Sequence, residues 1–344
     1  MSEPVRPIEK IPDHYFRLHH SEKAYENEAI QTKSVNFYQD SWRRLKKNKG
    51  AVASFVVLLL ILFISIVSVW ITPHDPNAQE VRYSFLPPKI PGVSINGFNG
   101  YAKQGDRWVD VYQQKQVPSG SYYYLGTDKF GRDLLSRLLF GTRISLLIAF
   151  FAAFLDLTIG VAYGLTSGWI GGKVDTVMQR ILEIISGVPT LVVVVLMLLV
   201  FPPGIVSIVM AMVLVGWITM ARVVRGQTLQ LKNQEFVLAA KVLGQSPLKI
   251  ALGEIFPNLS SVIIIQTMFT IPTAIFFEAF LSFIGLGMRA PSASLGTLIN
   301  DGYQTFRFYP HLMWYPALVI SLIMISFNIF ADGLRDAFDP KMKG

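Results

Sequence analysis

Long apolar stretches separated by shorter polar ones set the plan of this chain. The first stretch, Ala51 to Ile71, lies in a run without charge from Gly50 through His74. A bilayer core about 30 Å thick needs about 20 helical residues, so this stretch can span. Further stretches fall at about 144–166, 180–200, 204–222, 259–285 and 313–333. In hydrocarbon each must be a helix, because an open strand edge leaves its backbone groups without partners. The pattern therefore predicts an all-α polytopic membrane protein with six transmembrane helices. The first stretch reads as retained rather than cleaved, since a long charged segment precedes it and no small-residue cleavage site follows before Thr72-Pro73.

The polar segments divide the chain. Residues 1–40 mix charges without helical periodicity and read as a mobile tail. The run from Trp42 through Arg43, Arg44, Lys46, Lys47 and Lys49 reads as an interfacial helix or as a plain topology signal. As a helix, it would favour anionic lipid by about 1 kcal/mol per cation. Domain boundaries follow at 1–49 for tail and interfacial segment, 50–72 for helix one, 73–142 for an insert, 143–335 for a five-helix core and 336–344 for a tail. The insert is punctuated by Pro87-Pro88, Pro91-Gly92 and Asn96-Gly97, with strand-like runs at Arg107 to Tyr112 and Ser121 to Leu125. Tyr122, Tyr123 and Tyr124 either pack this insert or form an interfacial belt.

Basic residues orient the spans. With the N-terminus inside, inner segments hold the cluster before span one, then Lys173 and Arg180. Arg222, Arg225, Lys232, Lys241 and Lys249 follow between spans four and five, and Arg335, Lys341 and Lys343 after span six. The short outer loops hold only Arg289 and Arg307. Both termini are expected in the cytoplasm of a bacterial cell, with the insert outside.

Composition agrees with a membrane chain. Of 344 residues, 51% are hydrophobic and 16% charged, against roughly 25% charged in soluble domains. That excludes a disordered chain and argues against a soluble enzyme. There is no cysteine, so thiolate metal sites and cysteine nucleophiles are excluded, and none of the five histidines forms a zinc-binding pair. No catalytic or metal residues are assigned. The net charge of +8 is a topology signal, and no nucleic-acid partner is expected. Gly172-Lys173 is followed by Val174 rather than Ser or Thr, so the chain has no phosphate-binding loop of the G-x-x-x-x-G-K-[ST] kind.

Asp156 in span two and Glu278 in span five are intramembrane carboxylates, each costing about 2.5–3.5 kcal/mol on insertion scales. They either line a solvated pathway or gate or bond to a neighbouring helix. Pro189 and Pro272 should kink spans three and five. Between spans four and five, apolar Phe236, Ala239, Ala240 and Leu243 share one helical face, so Glu235 to Leu243 reads as a short amphipathic helix ended by Gly244. Ser246 and Pro247 can start a second short helix as cap and first residue. Such a knuckle either docks in a partner's groove or lies on the membrane surface.

This stretch resembles the "EAA" loop of membrane permeases of ATP-binding-cassette importers. Ala239, Ala240, Gly244 and Pro257 fall at that pattern's spacing, while Leu238 replaces its Glu. Leu125 to Arg137 is similar to the LGTDxxGRDxxSR signature of the C-type permeases of oligopeptide/dipeptide importers. Asp175, Arg180, Pro189, Trp217, Ala221, Arg222 and Arg225 match that branch's third and fourth spans. Glu278 to Gly287 and Phe327-Asn328 through Pro340 resemble its later motifs. The likeness covers about residues 41–344 and is weakest in the insert.

The resemblance implies the type I importer permease fold and a non-catalytic subunit of an ATP-driven oligopeptide importer that forms half of the translocation path. It implies a B-type permease partner, two ATPase subunits and an extracytoplasmic peptide-binding protein that delivers the peptide. The chain itself would bind no cofactor, with ATP and Mg held by the ATPases. The loop 226–258 would couple to one ATPase through Phe236, Ala239, Ala240, Gly244 and Pro257. Asp156, Glu278 and Asn328 are candidates for the pathway or gate. Dipeptide, nickel or heme remain alternative cargoes. Outside the family, the alternatives are a secondary transporter or channel using the intramembrane carboxylates, and an intramembrane hydrolase, for which the spans offer no His or Asp pair.

Overall fold

A computed structural model of the chain describes residues 37–339 except Pro73 and Pro203. Most of the expected N-terminal tail, residues 1–36, lies outside the described residues, as does 340–344 of the C-terminal tail. Ser41–Gly344 forms one compact unit; of the other, Met1–Asp40, only the opening turn of the first helix is described. Helix α1 (Phe37–Lys47) contains the basic run except Lys49, which opens the next helix, with Arg44, Lys46 and Lys47 in the last turn, at the negative end of the helix dipole. Asn48 then breaks the chain. Its side chain accepts the Ala51 N–H at 3.1 Å and caps α2 (Lys49–Ile71). Within α2 the hydroxyls of Ser54, Ser65 and Ser68 donate to carbonyls three residues back, so lipid need not satisfy them.

The 73–142 segment contains a small amount of β structure, as its strand-like runs suggest. Strands β1 (Tyr101–Gln104) and β2 (Arg107–Asp110) pair antiparallel, with Tyr101 opposite Asp110 and Gln104 opposite Arg107, across a two-residue turn at Gly105-Asp106. Ser121 to Leu125, expected as a strand, joins no ladder. Its apolar character serves packing instead: Tyr123 is buried with Leu86, Val111 and Tyr112, and stacks on His74 at 4.4 Å. The expected 73–142 boundary overshoots. Helix α3 runs from Leu134 to Ile170, starting inside that segment. Asp133 caps it by accepting the Ser136 N–H at 2.8 Å and hydroxyl at 2.6 Å. Burial pushes the Asp133 carboxyl above its ordinary range against the pull of those bonds. Arg137, which breaks the hydropathy pattern there, is held by a nearby carboxylate and by carbonyls distant in sequence. It donates to the carbonyls of Pro76 and Pro291 and lies 3.4 Å from Asp128.

Span three is two helices, α4 (Gly172–Ser186) and α5 (Thr190–Val200), bent by 76° across Gly187 to Pro189. Pro189 stands just before α5, where its missing N–H costs no helical bond. Helix α6 (Ile205–Leu231) runs past the expected end at 222 because its arginines have partners: Arg225 binds Asp175, and Arg222 donates to Ser186. Helix α7 (Glu235–Val242) follows. The expected second short helix is instead the opening of α8 (Pro247–Phe283), which runs continuously into span five. A wide π-type turn at Ala251–Ile255 joins the two parts. Pro257 explains that turn, since it cannot donate to the Gly253 carbonyl and its ring crowds that turn. Pro272 lies inside α8, which continues through it. The outer loop contains an unforeseen helix, α9 (Leu295–Gln304), capped by Ser294 and Thr297, before α10 (His311–Phe338). Counting α4 and α5 as one, six spans result.

Helices α3 and α6 make the closest pairing. Gly160, Gly164 and Gly168 form a stripe at spacing four. A Cβ there would meet Met220 Cβ at 2.6 Å, Val224 Cβ at 2.9 Å and Thr228 Cβ at 2.8 Å. Small residues let the backbones approach where hydrophobicity alone cannot drive association in lipid.

Candidate functional site

Three groups of residues carry the chemistry, and the first is the α7 knuckle. Val237 and Ala240 are buried with Ile250, Ile255 and Leu259, against Val161 of α3 and Val224 of α6. The face expected from Phe236, Ala239, Ala240 and Leu243 is thus not the packed one. Of those four only Ala240 turns inward, so it anchors the knuckle rather than presenting a contact surface. Phe236, Leu238, Val242 and Leu243 point outward, with Val242 88% and Leu243 80% exposed. Gly244 takes φ +74°, and Gln245 N–H closes back on the Ala240 carbonyl at 3.1 Å, a left-handed helix cap. Pro257 is exposed on the first turn beyond the wide turn.

Behind the knuckle stands a polar lock that sequence reasoning did not assemble, although it named Asp175 and Arg225. Arg225 grips Asp175 with two bonds of 2.6 Å, and Ser167 donates to the same carboxylate at 2.5 Å. These bonds join α3, α4 and α6. Lys232 donates to the Trp169 carbonyl at 2.5 Å, and Lys232 and Lys241 lie 5.6 and 5.5 Å from the Trp169 ring. Lys241 belongs to α7, so the knuckle is tied to the end of α3 by charge as well as by packing.

Glu278 is fully buried. Its two oxygens accept the hydroxyls of Ser145 and Ser282, each at 2.7 Å, and Ser145 in turn accepts the Leu295 N–H at 3.2 Å. The carboxylate therefore joins α3 and α8 to the N-terminus of α9, where a helix dipole favours negative charge. Asn328 is exposed on α10 and does not line the cleft described next.

The third group is an open-sided cleft of about 360 Å³ between α6 and α8. Asp156 is 5% exposed yet lines this cleft, and its Oδ1 has no hydrogen-bond partner in the chain. Around it stand Thr219, Gln266, Thr270 and Thr273, with Phe269 and Phe277 supplying apolar wall. Gly216 makes the room, for a Cβ there would lie 2.7 Å from Asp156 Oδ1. Sequence reading missed the polar members. The signal was present, since Gln266, Thr270 and Thr273 recur at i, i+4, i+7 along one face of an otherwise apolar span. Glu278, five residues beyond Thr273, falls off that face.

Comparison with known proteins adds the family. Residues 160–344 match the model described as binding-protein-dependent transport system inner membrane component. Residues 36–88 match that of the N-terminal TM domain of oligopeptide transport permease C. The chain is 47% identical over 334 residues to the dipeptide transport system permease protein DppC of Lactococcus lactis subsp. cremoris, covering 95% of this chain and 97% of that one. It is 38% identical over 336 residues to the oligopeptide transport system permease protein OppC of Bacillus subtilis, covering 98% and 100%. Among solved structures, an inward-facing MetNI methionine ABC transporter contains a chain that superposes with TM-score 0.51 at 17% identity. The match covers 59% of this chain and 97% of that one, a likeness of fold.

Proposed function

Because this chain belongs to the binding-protein-dependent transport inner membrane family, as a C-type permease of its oligopeptide/dipeptide branch, we propose that it carries short peptides into the cell as one half of a permease pair. A B-type permease completes the path, two ATP-binding-cassette subunits supply the work, and an extracytoplasmic binding protein delivers the peptide. The chain performs no catalysis and binds no cofactor; ATP and Mg act in the ATPases. It sits in the bacterial cytoplasmic membrane with both termini and the α7 knuckle inside and the insert outside, in keeping with its basic residues.

The observation that carries this reading is the knuckle, which leaves Leu238, Val242, Leu243 and Leu248 exposed on a chain without a phosphate loop. An apolar protrusion of this kind fits a groove in the ATPase. Its inner side, Val237 and Ala240, packs on α3, α6 and α8. Movement of the ATPase is thereby delivered to the helices that wall the cleft.

The test is co-expression with both ATPases, the B-type partner and the binding protein, followed by uptake into vesicles. The intact complex should accumulate peptide only with internal ATP and should continue with ion gradients collapsed. Gly244→Glu places a side chain at φ +74° and a charge on the docking surface. It should abolish uptake and loosen the ATPases while leaving the variant in the membrane. Normal uptake by that variant would remove the knuckle from the mechanism.

A further inference from the structure

Glu278 and Asp156 are both acidic, but only Asp156 has a side open to a ligand. Its carboxylate is nine-tenths buried, lacks a partner at Oδ1 and lines a cleft. The volume of about 360 Å³ falls within the roughly 300–1,000 Å³ of small-molecule sites. No lysine, arginine or histidine lines that cleft. Its other polar members are the hydroxyls of Thr190, Thr219, Thr270 and Thr273 and the amide of Gln266, neutral groups able to accept a proton donor. Phe269 and Phe277 add ring faces that attract organic cations. The wall thus offers one negative charge to a positive, donor-rich group and no cationic side chain to an anion.

We propose that this cleft receives the α-ammonium of the peptide during passage, with Asp156 as its charge partner, and that the amino end of the cargo therefore travels along this subunit. The inference rests on the peptide-import reading above. An ammonium with three N–H groups satisfies the carboxylate and neighbouring hydroxyls together, as charge-assisted bonds. Every unmodified linear peptide carries that group whatever its side chains, so recognition here does not restrict sequence. Gly216 is part of the site because any larger residue would press on the carboxylate.

The experiment uses the complete transporter in proteoliposomes with a binding protein shown to hold both a free-amino peptide and its N-acetyl form. Asp156→Asn should lower uptake of the free-amino peptide about tenfold, the scale of one charge-assisted bond, and leave uptake of the acetylated peptide unchanged. Complex yield should match wild type. Equal loss for both peptides, or no loss for either, overturns the proposal. Failure of the wild-type complex to import any peptide with ATP would instead sink the import reading itself. Should wild type refuse the acetylated form, carbodiimide modification of Asp156 in the assembled complex decides. Free-amino peptide should slow it several-fold and acetylated peptide should not; equal protection, or none, overturns the assignment.

Discussion

A carboxylate placed inside a membrane helix costs about 2.5–3.5 kcal/mol to insert, and Glu278 offsets that with two serine hydroxyls at 2.7 Å. Its bonds tie α3 and α8 to the start of α9. Glu278→Gln keeps the shape and can still accept one hydroxyl and donate to the other. Transport by that variant should stay within about twofold of wild type, with a stability loss of about 1 kcal/mol. Uptake at background, with a complex that assembles normally, would make Glu278 a gate instead. Neither role was readable from the residue type, since Asp156 and Glu278 are both acids in apolar runs. What separates them is whether hydroxyls from helices distant in sequence reach the carboxylate.

At the scale of elements, the α3–α6 pair is a close-packed seam of the fold. The glycines at 160, 164 and 168 place the two backbones in contact, while Asp175 and Arg225 lock α4 to the same pair. Gly164→Leu would drive a branched side chain into the Ala221 carbonyl and Val224. Overpacking of this kind costs about 1–3 kcal/mol, so the purified complex should melt several degrees lower and yield less protein. An unchanged melting curve would show that the helices separate freely at this stripe. The spacing of four was present in the sequence, but a glycine repeat does not reveal which helix it meets. Hydropathy likewise located the spans and misplaced their ends. Arg137, Arg222 and Arg225 read as interruptions, and only their partners let α3 and α6 extend through them.

For the whole molecule, the insert and α9 act as one cap at the end opposite the knuckle. Asp128 holds Arg132 at 2.6 Å and lies 3.4 Å from Arg137, both arginines being buried. Asp301 of α9 binds Lys129 at 3.0 Å, and Phe85 stacks on Tyr309 at 4.2 Å. Asp128→Ala would leave the buried Arg137 guanidinium without its paired carboxylate and Arg132 with Asp301 alone, at 3.7 Å, a loss of about 3–5 kcal/mol. Limited proteolysis of the purified complex should then cut the insert faster, and the melting temperature should fall. Unchanged cleavage would mean that the aromatic and apolar contacts hold the cap alone.

The sequence by itself determined the class, the positions of the long apolar helices and the family, because hydrophobic length and short motifs are local properties that need no partner to be read. It also determined that a helix ends at Gly244, since a left-handed cap is set by neighbouring residues. The tertiary structure decided which carboxylate is spent on packing and which faces a cleft, where span three breaks, and which side of α7 is free. Those outcomes depend on contacts between helices far apart in the chain. Ser145 reaching Glu278, and Gly216 clearing space for Asp156, exist only after the helices have packed.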